Sequence, residues 1–293
     1  MHHVISGYQF LMRYYEQGDK VYIFGFSRGA YTARFLAEMI FNLGLLSRGN
    51  EEMVQFAWQT FSDFQRCRGE DPKLRTFMEK FSSTYCRENI RSHFLGLFDC
   101  VNSVGQFEVP MFSKSIPYIP LTPAKHIRHA VSINERRLKF KPALFITEPS
   151  NPPDGDIKEV WFAGNHGDVG GGWSCDGDNY LLSEIPLRWM IDEILELPEE
   201  RDKLAWQVTK VAHAAKHEDL FEKRVSALPD SAVKYQIPKI RKFKKLVHDV
   251  LSFGGGGSHL SVCSWWILGM HPHLVFVSIL PTPKIFPITL VLI

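Results

Sequence analysis

The run GDKVYIFGFSRGAYTAR, residues 18–34, sets a serine between two glycines where a short apolar stretch gives way to a helical pattern. VYIF (21–24) reads as a buried strand. AYTARFLAEMIFNLGLL (30–46) reads as a helix whose alanine and leucine face can pack closely on a sheet. Between them Gly25, Phe26, Ser27, Arg28 and Gly29 form G-x-S-x-G. A serine on a sharp strand-to-helix turn sits in a strained conformation with its hydroxyl lifted above the sheet edge. Glycines flank it because a Cβ at either place would clash with the adjoining strand and helix. The turn also aims the backbone N–H of Arg28 at the point where an oxyanion develops, helped by the helix N-terminus. The bare pentapeptide is a weak signal, since a serine N-cap opening an ordinary helix has the same letters. The apolar run before it and the small-residue helix after it decide for the elbow.

An activated serine needs a base, and the base needs an orienting acid. In α/β-hydrolases the acid and then the histidine follow the serine along the chain. Both belong at the carboxyl ends of parallel strands, where an open α/β sheet collects its functional groups. Two later strand ends fit. HFLGLFD (93–99) ends on Asp99 and runs into a loop, and KEVWFAGNHGDVGGGW (158–173) is a strand followed by a glycine-rich loop carrying His166. The expected set is therefore Ser27, Asp99 and His166, with Arg28 N–H as oxyanion donor and Gly25 and Gly29 shaping the elbow. Asp168 is the competing acid. It lies on the same loop as His166 and could instead hold that loop by bonding backbone N–H groups. No metal or organic cofactor is called for.

The remaining chemistry-bearing residues have plainer readings. His93 precedes a strand and reads as a packing or surface group. HIRHAVSINERR (126–137) mixes apolar and basic residues and reads as a helix, with His126 and His129 on one face beside Arg128 and Arg136, meeting solvent or a carboxylate. His213 and His217 stand i, i+4, but HAAKH lacks the glutamate of a zinc-protease helix, so a solvated face is expected. Asp176 and Asp178 lack EF-hand spacing and read as a polar loop. KIRKFKK (239–245) is a solvated helix face or a contact for phospholipid headgroups. Arg34 reads either as a headgroup contact or as half of a structural ion pair.

Around these landmarks, residues 4–17 read as an amphipathic helix, 50–90 as an inserted helical segment, PALFIT (142–147) as a strand, LLSEIPLRWMIDEILEL (181–197) as a helix, and the chain beyond 200 as charged helix. Strands alternating with helices predict a mostly parallel α/β sheet. The 293 residues are 45% hydrophobic and 23% charged, as in an ordinary globular protein, and the formal charge of +2 gives no reason to expect a nucleic-acid partner. The cysteines, at 67, 86, 100, 175 and 263, are odd in number and unpaired in spacing. With no secretory leader visible, this points to the cytoplasm.

Four motifs in order, GFSRGAYTAR, FDCVNSVG, HAVSINERR and VWFAGNHGDVGGGW, resemble the α/β-hydrolase domain of the type VI secretion phospholipase effector-like family. HGDVGGGW and SEIPLRWM are similar to its fungal branch, whose substrates are largely unassigned. The resemblance spans about residues 1–255 and implies an α/β-hydrolase-like domain there. It implies lipases of glycerophospholipids using a Ser-Asp-His triad, here Ser27, Asp99 and His166. The partner would be a lipid or other ester substrate, with contact at a membrane surface. Family members open with a strand carrying an Asp-Gly-Thr motif, which this sequence does not show ahead of its first helix. The N-terminal side of the sheet is therefore expected to be incomplete and an oxyanion donor from that region missing. This favours a second class of function, an inactive α/β-hydrolase-fold scaffold or binding protein. SWWILG (264–269) resembles a WWILEYLP-like family segment before the chain breaks into MHPHLVFV. Residues 256–293 are expected to be an atypical apolar tail, either gene-model read-through or a segment packed on the body or anchored at a membrane. Three prolines and Lys284 interrupt its final stretch well short of the ~20 apolar residues of a membrane span.

Overall fold

The computed structural model describes residues 2–67, 71–87, 89–101, 123–137, 140–145, 156–173, 181–198, 247–249, 251 and 290–292. Helix α1 (His2–Tyr14) leads into strand β1 (Val21–Phe26) and helix α2 (Arg28–Leu43). A short strand β2 (Leu45–Leu46) precedes helices α3 (Val54–Arg66) and α4 (Pro72–Tyr85), and pairs antiparallel with β3 (Cys86–Arg87). Two helices, α3 and α4, lie within the 50–90 stretch. Asp71 opens α4 by accepting from the amides of Lys73 and Leu74, with Pro72 at the first helical position, where its missing N–H costs nothing. Strands β4 (Ser92–Phe98), β5 (Ala124–Ser132) and β6 (Asp156–Phe162) follow, then helices α5 (His166–Gly170) and α6 (Glu184–Leu195), and strand β7 (Leu290–Leu292).

The main sheet has the order β6-β5-β4-β1-β7. The first four strands run parallel, and β7 pairs antiparallel with β1. Alternation along β1 sends Val21 and Ile23 to one face and Tyr22 to the other. The first face carries the larger core, built with Tyr8, Leu11 and Met12 of α1 and Ala33, Ala37 and Ile40 of α2. The second face is covered by Val169 of α5 and by Trp189, Met190 and Ile194 of α6. Covering both faces is what a parallel sheet requires, and β4 is accordingly buried over nearly its whole length. Tyr8 pins α1 to the segment after α2: its hydroxyl donates to the Gly44 carbonyl and accepts from the Leu46 amide, both at 2.9 Å.

Several sequence expectations need correction. The first part of 126–137 is not helical but belongs to β5, which pairs with β4 on one side and β6 on the other. Its polar residues are buried because neighbouring elements supply carboxylates. His126 and Arg128 bond Asp156, Arg128 also bonds Glu193 of α6, and His129 bonds Glu159. His126 and His129 therefore meet carboxylates, not solvent. Within 142–147, Pro142 makes only an isolated bridge to Val101, and residues 146–147 lie outside the described residues. At the chain end, the strand β7 appears where no periodicity suggested one. The charged region after 200, with His213, His217 and KIRKFKK, and the loop with Asp176 and Asp178 lie outside the described residues, apart from 247–249 and 251. Among the described residues no helix is long and apolar enough to cross a membrane.

Arg34 is the structural ion pair of its two readings, since only 4% of it is exposed. It donates to Glu38 Oε1 at 3.2 Å and to the Ala143 carbonyl at 3.2 Å, and its guanidinium lies 4.0 Å from the centre of the Phe145 ring. Burial pushes the Glu38 carboxyl up to about 7 against the pull of Arg34. The folded state then holds this proton more tightly than the unfolded chain. That stabilisation is fully present below the unfolded carboxyl's range and is lost as the pH rises through about 7. Urea denaturation should show stability falling between pH 5 and pH 8, and Glu38→Gln should remove that part of the slope. Arg34→Met at pH 8 should cost about 3–5 kcal/mol, because it strands a buried charge. An unchanged slope in Glu38→Gln would sink the assignment.

Candidate active site

Ser27 caps α2 at φ 59° and ψ −126°, a left-handed conformation that a side chain rarely adopts. Its amide donates to the Phe98 carbonyl at 3.0 Å, so the turn is tied to the end of β4. A Cβ at Gly25 would lie 2.5 Å from the Gly29 carbonyl oxygen and 2.7 Å from the Ala30 Cα. Backbone thus crosses backbone where only a hydrogen fits, and this close approach makes the elbow sharp. The first bond of the helical turn is Tyr31 N–H to the Ser27 carbonyl, 3.2 Å. The amide of Arg28 precedes it at the start of α2, where helix geometry offers no intrahelical acceptor. The Arg28 side chain is exposed.

Asp99 stands just past β4, the neighbouring strand, also at positive φ (41°) and fully buried. Its carboxylate accepts from the Ser132 amide at 2.9 Å, from the Ser132 hydroxyl at 2.8 Å and from His166 Nδ1 at 2.6 Å. Burial alone would raise its pKa, but the hydrogen bond and charge of His166, with the two bonds from Ser132, hold it below the usual carboxylate range. A carboxylate can only accept, so Nδ1 of His166 is the donor to Asp99, and in the neutral imidazole of that tautomer Nε2 is the acceptor. Nε2 lies 2.7 Å from Ser27 Oγ. The structure thus joins Ser27, His166 and Asp99 in one hydrogen-bonded chain across the carboxyl ends of the parallel strands.

The imidazole is held on every side. The Phe26 ring lies 4.6 Å from it and the Phe140 ring meets it edge-on at 4.7 Å. The His166 amide donates to Glu135 Oε2 at 3.2 Å, and Glu135 also grips Arg137. Burial works against the Glu135 charge, but the bonds from Arg137 outweigh it and keep the carboxyl low. Asp168 holds the loop, not the imidazole. With Asn165 it forms a reciprocal capping box: the Asn165 side chain accepts from the amides of Gly167 and Asp168, and Asp168 Oδ2 accepts from the Asn165 amide. Gly164, at φ 119°, leaves room for the Asp168 side chain that a Cβ would fill. A cavity of about 240 Å³ opens beside His166, walled by Phe26, Phe140, Trp173 and Arg137.

The roles of Ser132, Asn134 and Glu135, all within the motif HAVSINERR, emerge only in the folded chain. Asn134 Oδ1 accepts from the Gly164 amide at 2.8 Å, which with Ser132 and Glu135 makes SINERR a bracket for Asp99 and the His166 loop. The role of His248, which bonds Asp168 through both its amide and Nδ1, likewise emerges only in the folded chain. A second histidine–carboxylate pair backs the site. The Cys100 amide donates to His129 Nε2 at 3.0 Å, and His129 Nδ1 lies 2.7 Å from Glu159 Oε1, fixing the backbone next to Asp99.

A strand, a serine elbow and a helix, with aspartate and histidine past the ends of two further parallel strands, define an α/β-hydrolase-like fold. Residues 1–193 match the model of the family described as T6SS, phospholipase effector Tle1-like, catalytic domain, and the chain belongs to that family. It is 45% identical over 157 residues to the uncharacterized protein YEL023C of Saccharomyces cerevisiae, an alignment covering 51% of this chain and 22% of that protein. No solved structure matches it.

His129→Leu should leave the Cys100 amide without its acceptor and Glu159 with only the Phe145 amide, and lower stability by about 1–3 kcal/mol in urea denaturation. The Cys100 amide should exchange faster with deuterium. An unchanged exchange rate at Cys100 would show that His129 does not secure this turn.

Proposed function

We propose that this chain is a serine hydrolase that cleaves carboxylic esters of lipids, phospholipids among them, through an acyl-enzyme on Ser27. The observation that carries this reading is the continuous chain from Ser27 Oγ through His166 to the buried, ionised Asp99. Ser27 Oγ attacks the ester carbonyl while His166 Nε2 takes its proton. Asp99 keeps the imidazole in the required tautomer and stabilises the imidazolium. The Arg28 amide donates to the oxyanion of the tetrahedral intermediate, supported by the N-terminus of α2. His166 then returns the proton to the leaving alcohol, which departs and leaves the acyl group on Ser27. Water attacks the acyl-enzyme by the same path in reverse and releases the carboxylic acid. The aromatic walls of the cavity suit an apolar acyl chain. Membership of a family named for phospholipase effectors supports a lipid ester and a membrane surface as its source.

A fluorophosphonate probe should label the purified protein at Ser27, and Ser27→Ala should abolish the label. On a p-nitrophenyl ester and a glycerophospholipid, Ser27→Ala and His166→Ala should lower kcat by about 10⁴–10⁶-fold, and Asp99→Asn by about 10⁴-fold. A folded protein that neither labels nor turns over any ester in such a panel would overturn the reading in favour of an inactive scaffold.

A further inference from the structure

His248 lies beyond the 1–193 stretch that matches the family, yet it closes on the loop that carries His166. Its amide donates to Asp168 Oδ2 at 3.0 Å and its Nδ1 lies 2.6 Å from Asp168 Oδ1. Its carbonyl accepts from Asn165 Nδ2 at 2.6 Å. Its ring stacks on Trp173, with centroids 4.1 Å apart and planes 7° from parallel. Trp173 in turn reaches Asn165 Oδ1 at 3.4 Å and walls the cavity. Next along the chain, Asp249 pairs with Arg136 at 3.0 Å.

Asn165 and Asp168 are the two members of the capping box that begins α5 at His166. His248 touches both of them and also the tryptophan that shapes the cavity beside His166. We propose that His248 is a positioning residue of the hydrolase site, with its two halves doing different jobs. Its Nδ1–H and backbone lock Asp168 and so fix the geometry of His166, and its ring fixes Trp173 and so sets the wall that the substrate meets. The inference rests on the serine-hydrolase reading for its kinetic consequences, while the contacts themselves do not depend on it.

Two variants of the full chain separate the two jobs. His248→Phe keeps a ring on Trp173 and removes the Nδ1 donor. Fluorophosphonate labelling of Ser27 and kcat should fall about tenfold to hundredfold, the scale expected when a catalytic group is misplaced by about 1 Å, with KM little changed. His248→Asn keeps a short N–H donor towards Asp168 and removes the ring. Labelling should stay within a few-fold of the wild type, while KM for a long-chain p-nitrophenyl ester rises more than KM for the acetate. Carbethoxylation of His166 by diethyl pyrocarbonate, read by peptide mass spectrometry, needs no catalysis. It should speed up several-fold in His248→Phe, because His166 is only 7% exposed behind an ordered loop. If His248→Phe reacts at wild-type rates in both labelling and carbethoxylation, the positioning role is overturned. It is equally overturned if both variants lose activity only in step with a lowered Tm. A wild type that fails to label at Ser27 defeats the hydrolase reading instead, and the carbethoxylation comparison then still decides the role of His248.

Discussion

One buried carboxylate gathers the strand ends of this molecule at a single point. Taking Asp99 out of water would cost several kcal/mol were it left unpaired. It is accommodated only because Ser132 at the end of β5 and His166 past the end of β6 both point donors at it. That condition constrains the sheet. Phe98 must stand level with Ala130, and Ala130 with Val160, which is the observed register. A slip of one residue would turn Ser132 to the other face and leave the charge stranded. The parallel order of the strands and the meeting of serine, histidine and aspartate are one requirement seen at two scales.

Two of the three described non-glycine residues with positive φ occupy equivalent places on adjacent strands. Ser27 follows β1 and Asp99 follows β4, and each has positive φ. Each also donates its amide to a carbonyl of the next strand, Ser27 to Phe98 and Asp99 to Ala130. The ladder thus runs one residue past the regular strand, in a conformation that breaks the side-to-side alternation and lifts both side chains into the cleft. Such conformations cost about 1–3 kcal/mol each and persist only where the surroundings over-determine them. Here the surroundings are the backbone crossing at Gly25 and the donors on the Asp99 carboxylate.

What could be read in the sequence follows from which of these constraints are local. The elbow was legible because its glycines, its strand and its helix lie within a few residues of Ser27. Asp99 was legible as a candidate because it directly follows an apolar run, and His166 because it opens the glycine-rich loop after one. Strand β5 was not, because HIRHAVS looks too polar for a buried strand until its partners are known. Asp156 and Glu159 lie about thirty residues away and Glu193 lies 65 from Arg128. Asp168 was legible as a candidate acid, and its loop-holding role was foreseen as the alternative. The partner that gives it that role, His248, stands 80 residues further along.

The charges around the cleft are paired off among themselves. Glu135 holds Arg137, Asp249 holds Arg136, and Asp168 holds His248, while the rings of Phe26 and Phe140 face His166 directly. The Arg137 guanidinium lies over Phe140, 3.7 Å from the ring centre, and so covers an aromatic face while it bonds a carboxylate. Rings packed against the imidazole lower the local dielectric around it, which strengthens the His166–Asp99 hydrogen bond. Among the described residues that line the cavity, the cation Arg137 is paired with Glu135. On the hydrolase reading proposed above, these aromatic walls would suit an apolar acyl chain.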